Sequence, residues 1–426
     1  MRGLSSGVRA VRWGVAALLI LGGVWLSLAC LANAASRAYA DAEPSTALAW
    51  DPSNPHARSR LAELYSESRA TAADSRTAQD LARSALTLAP LDGAALRVLG
   101  VEAQRAGDLE GAATLMAASD RVTQRDSTAQ LWLLDQAIRR GEYDLAYAKA
   151  EVVLRGAPAA GPQVFPVMRM GLADPRALPP LVKRLVPRPE WREAFLRDVA
   201  ANAEDLGVAS RLHAALSSSP APPTEAETAS FIKRLVASGD YPGAYALWRR
   251  LATSPAGAGV YAGDFRPRPG PVPFNWSLAQ TGDAVAELGE APRGGPALHA
   301  EFATGANADL ATQLLMLPPG AYRLQGAAWL GQAGRPGRLA WSVACAGQKT
   351  LLGEARQGEG PPQEWRDFDM RFVVPPTGCG AQWLRLRSFA QDTFTTAEAW
   401  YRGVSVTAAA ASPPPVVADL AAGARR

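Results

Sequence analysis

A spacing of 34 residues brings two stretches of this chain into register: Leu99 falls on Leu133, Gly107 on Gly141 and Ala112 on Ala146. Within each stretch, LRVLGVEAQRAGDLEGAATLMAAS and LWLLDQAIRRGEYDLAYAKAEVVL, a Leu is followed eight positions on by Gly and five further by Ala. A fixed period of this length marks stacked supersecondary units. The glycine ends one helix and lets the chain turn tightly into the next. The alanine lets the second helix approach the first, where a bulkier side chain would hold the pair apart. Each hairpin then leaves an apolar face that only its neighbour can cover, so such units stack.

The offsets recur elsewhere. Leu61, Ala62 and Tyr65 with Ala78, Ala85 and Pro90 form an earlier unit, with a longer turn around Thr71 to Arg76. Phe231, Gly239, Ala244 and Pro255 form a later one. Between them, residues 162–189 are too proline-rich for long helices and predict short, irregular structure. Glu190 to Pro220 reads as a degenerate hairpin with Leu196 and Ala209 in register. The pattern resembles the tetratricopeptide repeat (TPR): a large–small pair at Leu99-Gly100, a turn glycine, and a small alanine on the second helix. The resemblance implies an all-α TPR-like solenoid over residues 35–256, serving as a scaffold for envelope protein partners.

The character changes after residue 256. The run GAGVYAGDFRPRPGPVP, residues 257–273, cannot hold a helix and reads as a linker. From Phe274 to Val406 the apolar period becomes two. Candidate strands are LHAEFAT, AYRLQGAAWL, RLAWSVACAG, DFDMRFVVP, QWLRLRSFA and AWYRGVSVT, separated by Gly/Pro-rich breaks. This predicts an all-β, jelly-roll-like sandwich over residues 274–408. The Ala- and Pro-rich tail, 409–426, is expected to be disordered.

Arg2, Arg9 and Arg12 lie in a leading segment, 1–12, before an uncharged stretch from Trp13 to Leu31. That stretch spans roughly 29 Å as a helix, close to a bilayer's hydrocarbon thickness. Residues 13–34 therefore read as a transmembrane signal anchor with a cytoplasmic N-terminus. The protein is expected in the inner membrane, single-pass, with its bulk in the periplasm. The alternative is secretion to the periplasm after cleavage, because Ala32-Asn33-Ala34 suits a signal-peptide site.

The formal net charge is only +4 over 426 residues, without basic clusters, so nucleic acid is not an expected partner. The three histidines, His56, His213 and His299, are far apart. Gly3-Leu4-Ser5-Ser6-Gly7 fits GxSxG but precedes the membrane segment, with no strand feeding it. Catalytic residues, metal ligands and cofactors are all expected to be absent. Cys345 and Cys379 lie in the exported half, where one disulfide between them is expected.

The β region carries Trp276, Trp329, Trp341, Trp365, Trp383 and Trp400. Indoles offer flat apolar faces that complement the C–H faces of sugars. With GAYRLQGAAW and GRLAWSVAC, this stretch resembles carbohydrate-binding modules and galactose-binding-like domains. Most of these rings are expected to fill the core. Trp276, in PFNWS, and Trp329, beside a Gly-rich turn, are the expected glycan contacts at the surface. Glu301, Asp367 and Asp369 read as a solvated sheet face.

Anchor, repeats and Trp-containing β region together are similar to bacterial envelope proteins of exopolysaccharide synthesis and export. The resemblance implies a non-enzymatic scaffold or assembly protein of an envelope complex, with the β domain docking a glycan or a protein partner. Its rivals are a protein–protein adaptor whose sandwich is only a cap, and, more weakly, a polysaccharide-modifying enzyme.

Overall fold

The computed structural model describes residues 4–68, 71–123, 126–252, 259–303, 305, 307–331, 339–348, 350–357, 363–390 and 396–409. The chain forms two compact units, Met1–Phe195 and Leu196–Arg426.

The first unit is helical: α1 Leu4–Tyr39, α2 Pro44–Trp50, α3 Pro55–Ser68, α4 Ala72–Leu88, α5 Gly93–Arg105, α6 Leu109–Val122, α7 Ser127–Arg140, α8 Tyr143–Gly156, α9 Gly161–Gly171, α10 Leu178–Leu185 and the start of α11 Arg192–Asn202. The pairs α3/α4, α5/α6 and α7/α8 pack as hairpins. Gly107 and Gly141 adopt left-handed conformations, with φ of 84° and 74°, which a glycine reaches without steric cost. Beyond Gly107, the Asp108 side chain accepts from the Gly111 N–H and caps α6. Stop and start thus occupy adjacent residues.

Ala112 and Ala146 are fully buried. Leu99 and Leu133 are only half-buried, whereas Val98 and Leu134, at 1% and 0% exposure, take the centre of the helix face. Gly100 lies directly beneath Met116, which its missing side chain accommodates. The proline-rich stretch is short, as expected, but regular: α9 and α10 run 11 and 8 residues. Their early prolines fall in the first turn, where a backbone donor is dispensable, and only Pro166 lies inside α9.

Ionic contacts link successive hairpins. Arg97 on α5 pairs with Glu63 on α3 and, at 2.6 Å, with Asp126, the cap of α7. The buried Glu102 carboxylate accepts from Ser66, at 2.6 Å, and from Ser75 and Arg105. In α1, Trp13–Tyr39 is long and apolar enough to cross a membrane by length and composition. The helix continues unbroken to Tyr39, where Ser36 is fully buried and accepts from Asn54 at 2.9 Å.

The second unit joins the rest of α11, with α12 Leu206–Ser217, α13 Glu225–Ala237 and α14 Tyr241–Trp248, to ten strands. These are β1 Ser277–Leu278, β2 Ala284–Glu290, β3 Pro296–Ala303, β4 Ala308–Leu315, β5 Gly320–Leu330, β6 Leu339–Cys345, β7 Leu351–Gln357, β8 Trp365–Val374, β9 Gln382–Ser388 and β10 Thr396–Ala408. They form two antiparallel five-stranded sheets, ordered β1-β4-β9-β6-β7 and β2-β3-β10-β5-β8. This is the two-sheet sandwich expected. Trp341 lies at its centre, edge-on to Tyr401 at 5.4 Å and to Trp276 at 5.9 Å.

Residues 257–273 do not behave as a linker over their described part. Tyr261, Ala262 and Phe265 are buried in the sandwich core, together with Ile232, Leu235, Ala244 and Trp248 of α13 and α14. Trp248 meets Tyr261 edge-on at 4.8 Å. The Gln313 side chain both accepts from the Tyr261 N–H and donates to its carbonyl, each at 2.9 Å. The aromatic residues scattered through this Gly/Pro-rich run turn it into a plug. The expected disordered tail, from residue 410 on, lies outside the described residues.

Candidate functional site

Strand alternation decides which side chains of the second sheet face away from the core. On β10, Ala397, Ala399 and Tyr401 point inward, leaving Glu398, Trp400 and Arg402 outward. On β5, Tyr322, Leu324 and Ala328 point inward, leaving Arg323, Gln325, Ala327 and Trp329 outward. On β8, Met370, Phe372 and Val374 are buried, leaving Trp365, Asp367, Asp369 and Arg371 outward.

Register then assembles a row that sequence order hides. His299 pairs with Trp400, Trp400 with Trp329, and Trp329 with Trp365. Four aromatic side chains therefore line up across β3, β10, β5 and β8 on one outward face. His299 and Trp400 stack at 4.0 Å. The Arg402 guanidinium lies 4.1 Å from the Trp365 ring centre, a cation–π contact. Glu287 and Glu398 approach the two nitrogens of His299 at 3.5 and 3.6 Å.

The next rows are polar. Arg402 faces Ala327, which faces Asp367; Ser405 faces Gln325, which faces Asp369. A bulge between Arg402 and Ser405, with Gly403 at φ 61°, breaks the regular pleat of β10 here. A cleft of about 580 Å³ opens over these rows, lined by Asp264, Arg323, Gln325, Asp367, Asp369 and Arg402 among others. Arg323 holds Asp369 at 3.2 Å. Small Ala327 sits between two charged neighbours and leaves the depression. The arrangement offers alternating donors and acceptors beside an aromatic wall, the chemistry that engages a polyhydroxylated ligand.

The two tryptophans expected at the surface are not exposed platforms. Trp276 is 6% exposed, donates its indole N–H to the Ala262 carbonyl at 3.0 Å, and packs against Phe265. The plug segment covers it, which PFNWS gives no way to foresee. Trp329 faces outward as expected but is 8% exposed, flanked in register by Trp400 and Trp365. The residues missed are Trp365, Trp400 and Arg402. Their outward parity is readable in EWRDFD and EAWYRG, but their alignment requires strand pairing. Cys345 and Cys379 form the expected disulfide. Gly239 and Ala244 end α13 and enter the core from α14, with Gly239 at φ 84° and Ala244 fully buried. Among the described residues, no group of His, Cys, Asp and Glu is arranged to hold a metal ion.

No family model matches the chain. No curated protein matches it either. Among solved structures, it is similar to a CBM4 carbohydrate-binding module at 12% identity and TM-score 0.25, covering 32% of this chain and 88% of that one. A CBM22 xylan-binding domain from Paenibacillus barcinonensis matches at 14% identity and TM-score 0.25, covering 32% and 87%. A CBM61 module solved with β-1,4-galactotriose matches at 14% identity and TM-score 0.24, covering 36% and 95%.

Proposed function

We propose that this is a non-enzymatic, membrane-anchored envelope protein whose sandwich binds glycan on the outward face of the second sheet. The helical hairpins, read as TPR-like, serve as a docking scaffold for envelope partners of exopolysaccharide synthesis or export. The bulk of the chain lies in the periplasm. The observation that carries the glycan reading is the outward row His299–Trp400–Trp329–Trp365 beside a polar cleft. A merely solvated sheet face has no need of three aligned indoles, two of which, Trp365 and Trp400, stay partly exposed on the outer face.

A second reading, a structural cap with no ligand, is favoured by the burial of Trp329 and by Arg402 lying over Trp365. Affinity electrophoresis of the full chain in detergent, through gels containing single polysaccharides, separates the two. Glycan binding predicts retardation by at least one polymer, lost in Trp365→Ala and Trp400→Ala while thermal melting stays close to wild type. Retardation by none of the polymers sinks the glycan reading and leaves the cap.

A further inference from the structure

Resting on that reading, we propose that the face takes an uncharged stretch of a glycan chain, lying across the strands, and rejects polyuronates. Three observations support this.

The first is geometry. The aromatic row crosses four neighbouring strands, which at strand spacing makes it about 14 Å long. The polar rows run parallel to it, so a chain following the wall keeps its hydroxyls over the cleft. A chain running along the strands would leave the wall after one ring.

The second is how the cleft's charges are arranged. Asp369 is held by Arg323 at 3.2 Å, and Asp264 by Arg268 at 2.8 Å. Arg402 and Asp367 flank Ala327 in a single row. These groups present acceptors and donors to hydroxyls through charge-assisted bonds without any counter-charge from the ligand. A sugar carboxylate would have to break the Arg323–Asp369 pair to gain that guanidinium, and at Arg402, which lies over Trp365, it would meet Asp367 in the same row and Asp264 and Asp369 across the cleft. At the far end of the wall stand Glu287, Glu301 and Glu398, and Glu301 lies directly opposite Glu398 across β3 and β10. Like charges in that position cost stability and raise the negative potential along the path of the chain.

The third is the placing of Asp264. It sits on a turn in which Ala262 and Phe265 take left-handed φ values of 50° and 57°, unfavourable for side chains of their size. A Cβ on Gly263 would lie 1.9 Å from the Val404 carbonyl oxygen. The Val404 N–H donates to the Gly263 carbonyl at 2.9 Å. The turn is thus seated against β10 at the bulge, which brings a carboxylate to the cleft mouth.

The test uses the full chain in detergent and two sets of probes: xylan, galactan and β-glucan as uncharged polymers, alginate and polygalacturonate as acidic ones. The expected result is retention by at least one uncharged polymer, little changed by salt, and by neither polyuronate. Asp367→Asn and Arg402→Gln should each weaken that retention about tenfold, the loss of one charge-assisted bond, with melting unchanged. Retention by alginate or polygalacturonate overturns this inference and leaves the glycan function standing. Retention by no polymer overturns both. Unchanged retention in both variants removes the cleft from the binding surface and overturns this inference alone.

Discussion

Cys345 ends β6 and Cys379 follows β8, and their bond closes a separation of 34 residues. A loop of that size is worth about 3–4 kcal/mol in the chain-entropy account. Replacing both with Ser should lower the second unit's unfolding free energy by that amount in urea titrations. Thiol reagents should label neither cysteine before reduction. His213 makes a different prediction. It is 6% exposed, edge-on to Phe231 at 4.8 Å, with Thr228 Oγ1 3.4 Å from its Nε2. Burial, followed by Arg250, pushes its pKa below the ordinary 6.5. The unfolded chain therefore takes up the proton first as pH falls below about 6.5, and native stability drops from there downward. Wild type should lose stability between pH 7.5 and 5 by more than His213→Gln does. Equal losses would mean the ring is not held neutral by the fold.

At the scale of elements, the helix pairs can be tested by crowding them. Ala112→Leu and Ala146→Leu place bulk at fully buried positions and should each cost roughly 1–3 kcal/mol. Arg121→Ala and Arg155→Ala change exposed positions and should stay within about 0.5 kcal/mol. Comparable losses in both sets, read by thermal melting, would contradict the packing described. The hairpins were legible because helix termination and initiation are local: at Gly107-Asp108 and Gly239-Asp240 a left-handed glycine is followed at once by a capping Asp. Six of the strands were legible through alternation. β4 was not, since ADLATQLL is buried on both faces over most of its length and shows no period of two. β2 alternates, but its Ala and Glu residues are poor strand formers. The aromatic row was invisible for a stronger reason: His299, Trp329, Trp365 and Trp400 become neighbours only through the pairing of β3, β10, β5 and β8.

For the molecule as a whole, the plug changes what a minimal sandwich is. Trp248 on α14 is 1% exposed and shares the core with Tyr261 and Phe274. A fragment beginning at Leu196 keeps that core intact. A fragment beginning near residue 260 loses Trp248, at a cost of roughly 3–5 kcal/mol. The longer fragment should therefore melt cooperatively and higher. Equal melting temperatures would show that the helices contribute nothing to the sandwich.

The continuity of α1 carries a mechanical consequence. On the proposed reading of residues 13–34 as the anchor, the first hairpins are fastened just beyond it by Ser36 and Asn54, at a point where the helix has not yet ended. No slack segment intervenes to act as a swivel. A flexible tether would let the repeats sweep a hemisphere of solvent and meet partners at many heights. On that reading, a continuous helix would hold their base at one distance from the lipid surface and pass any rotation of the membrane segment directly to them, so that meeting a partner would become a search in a plane.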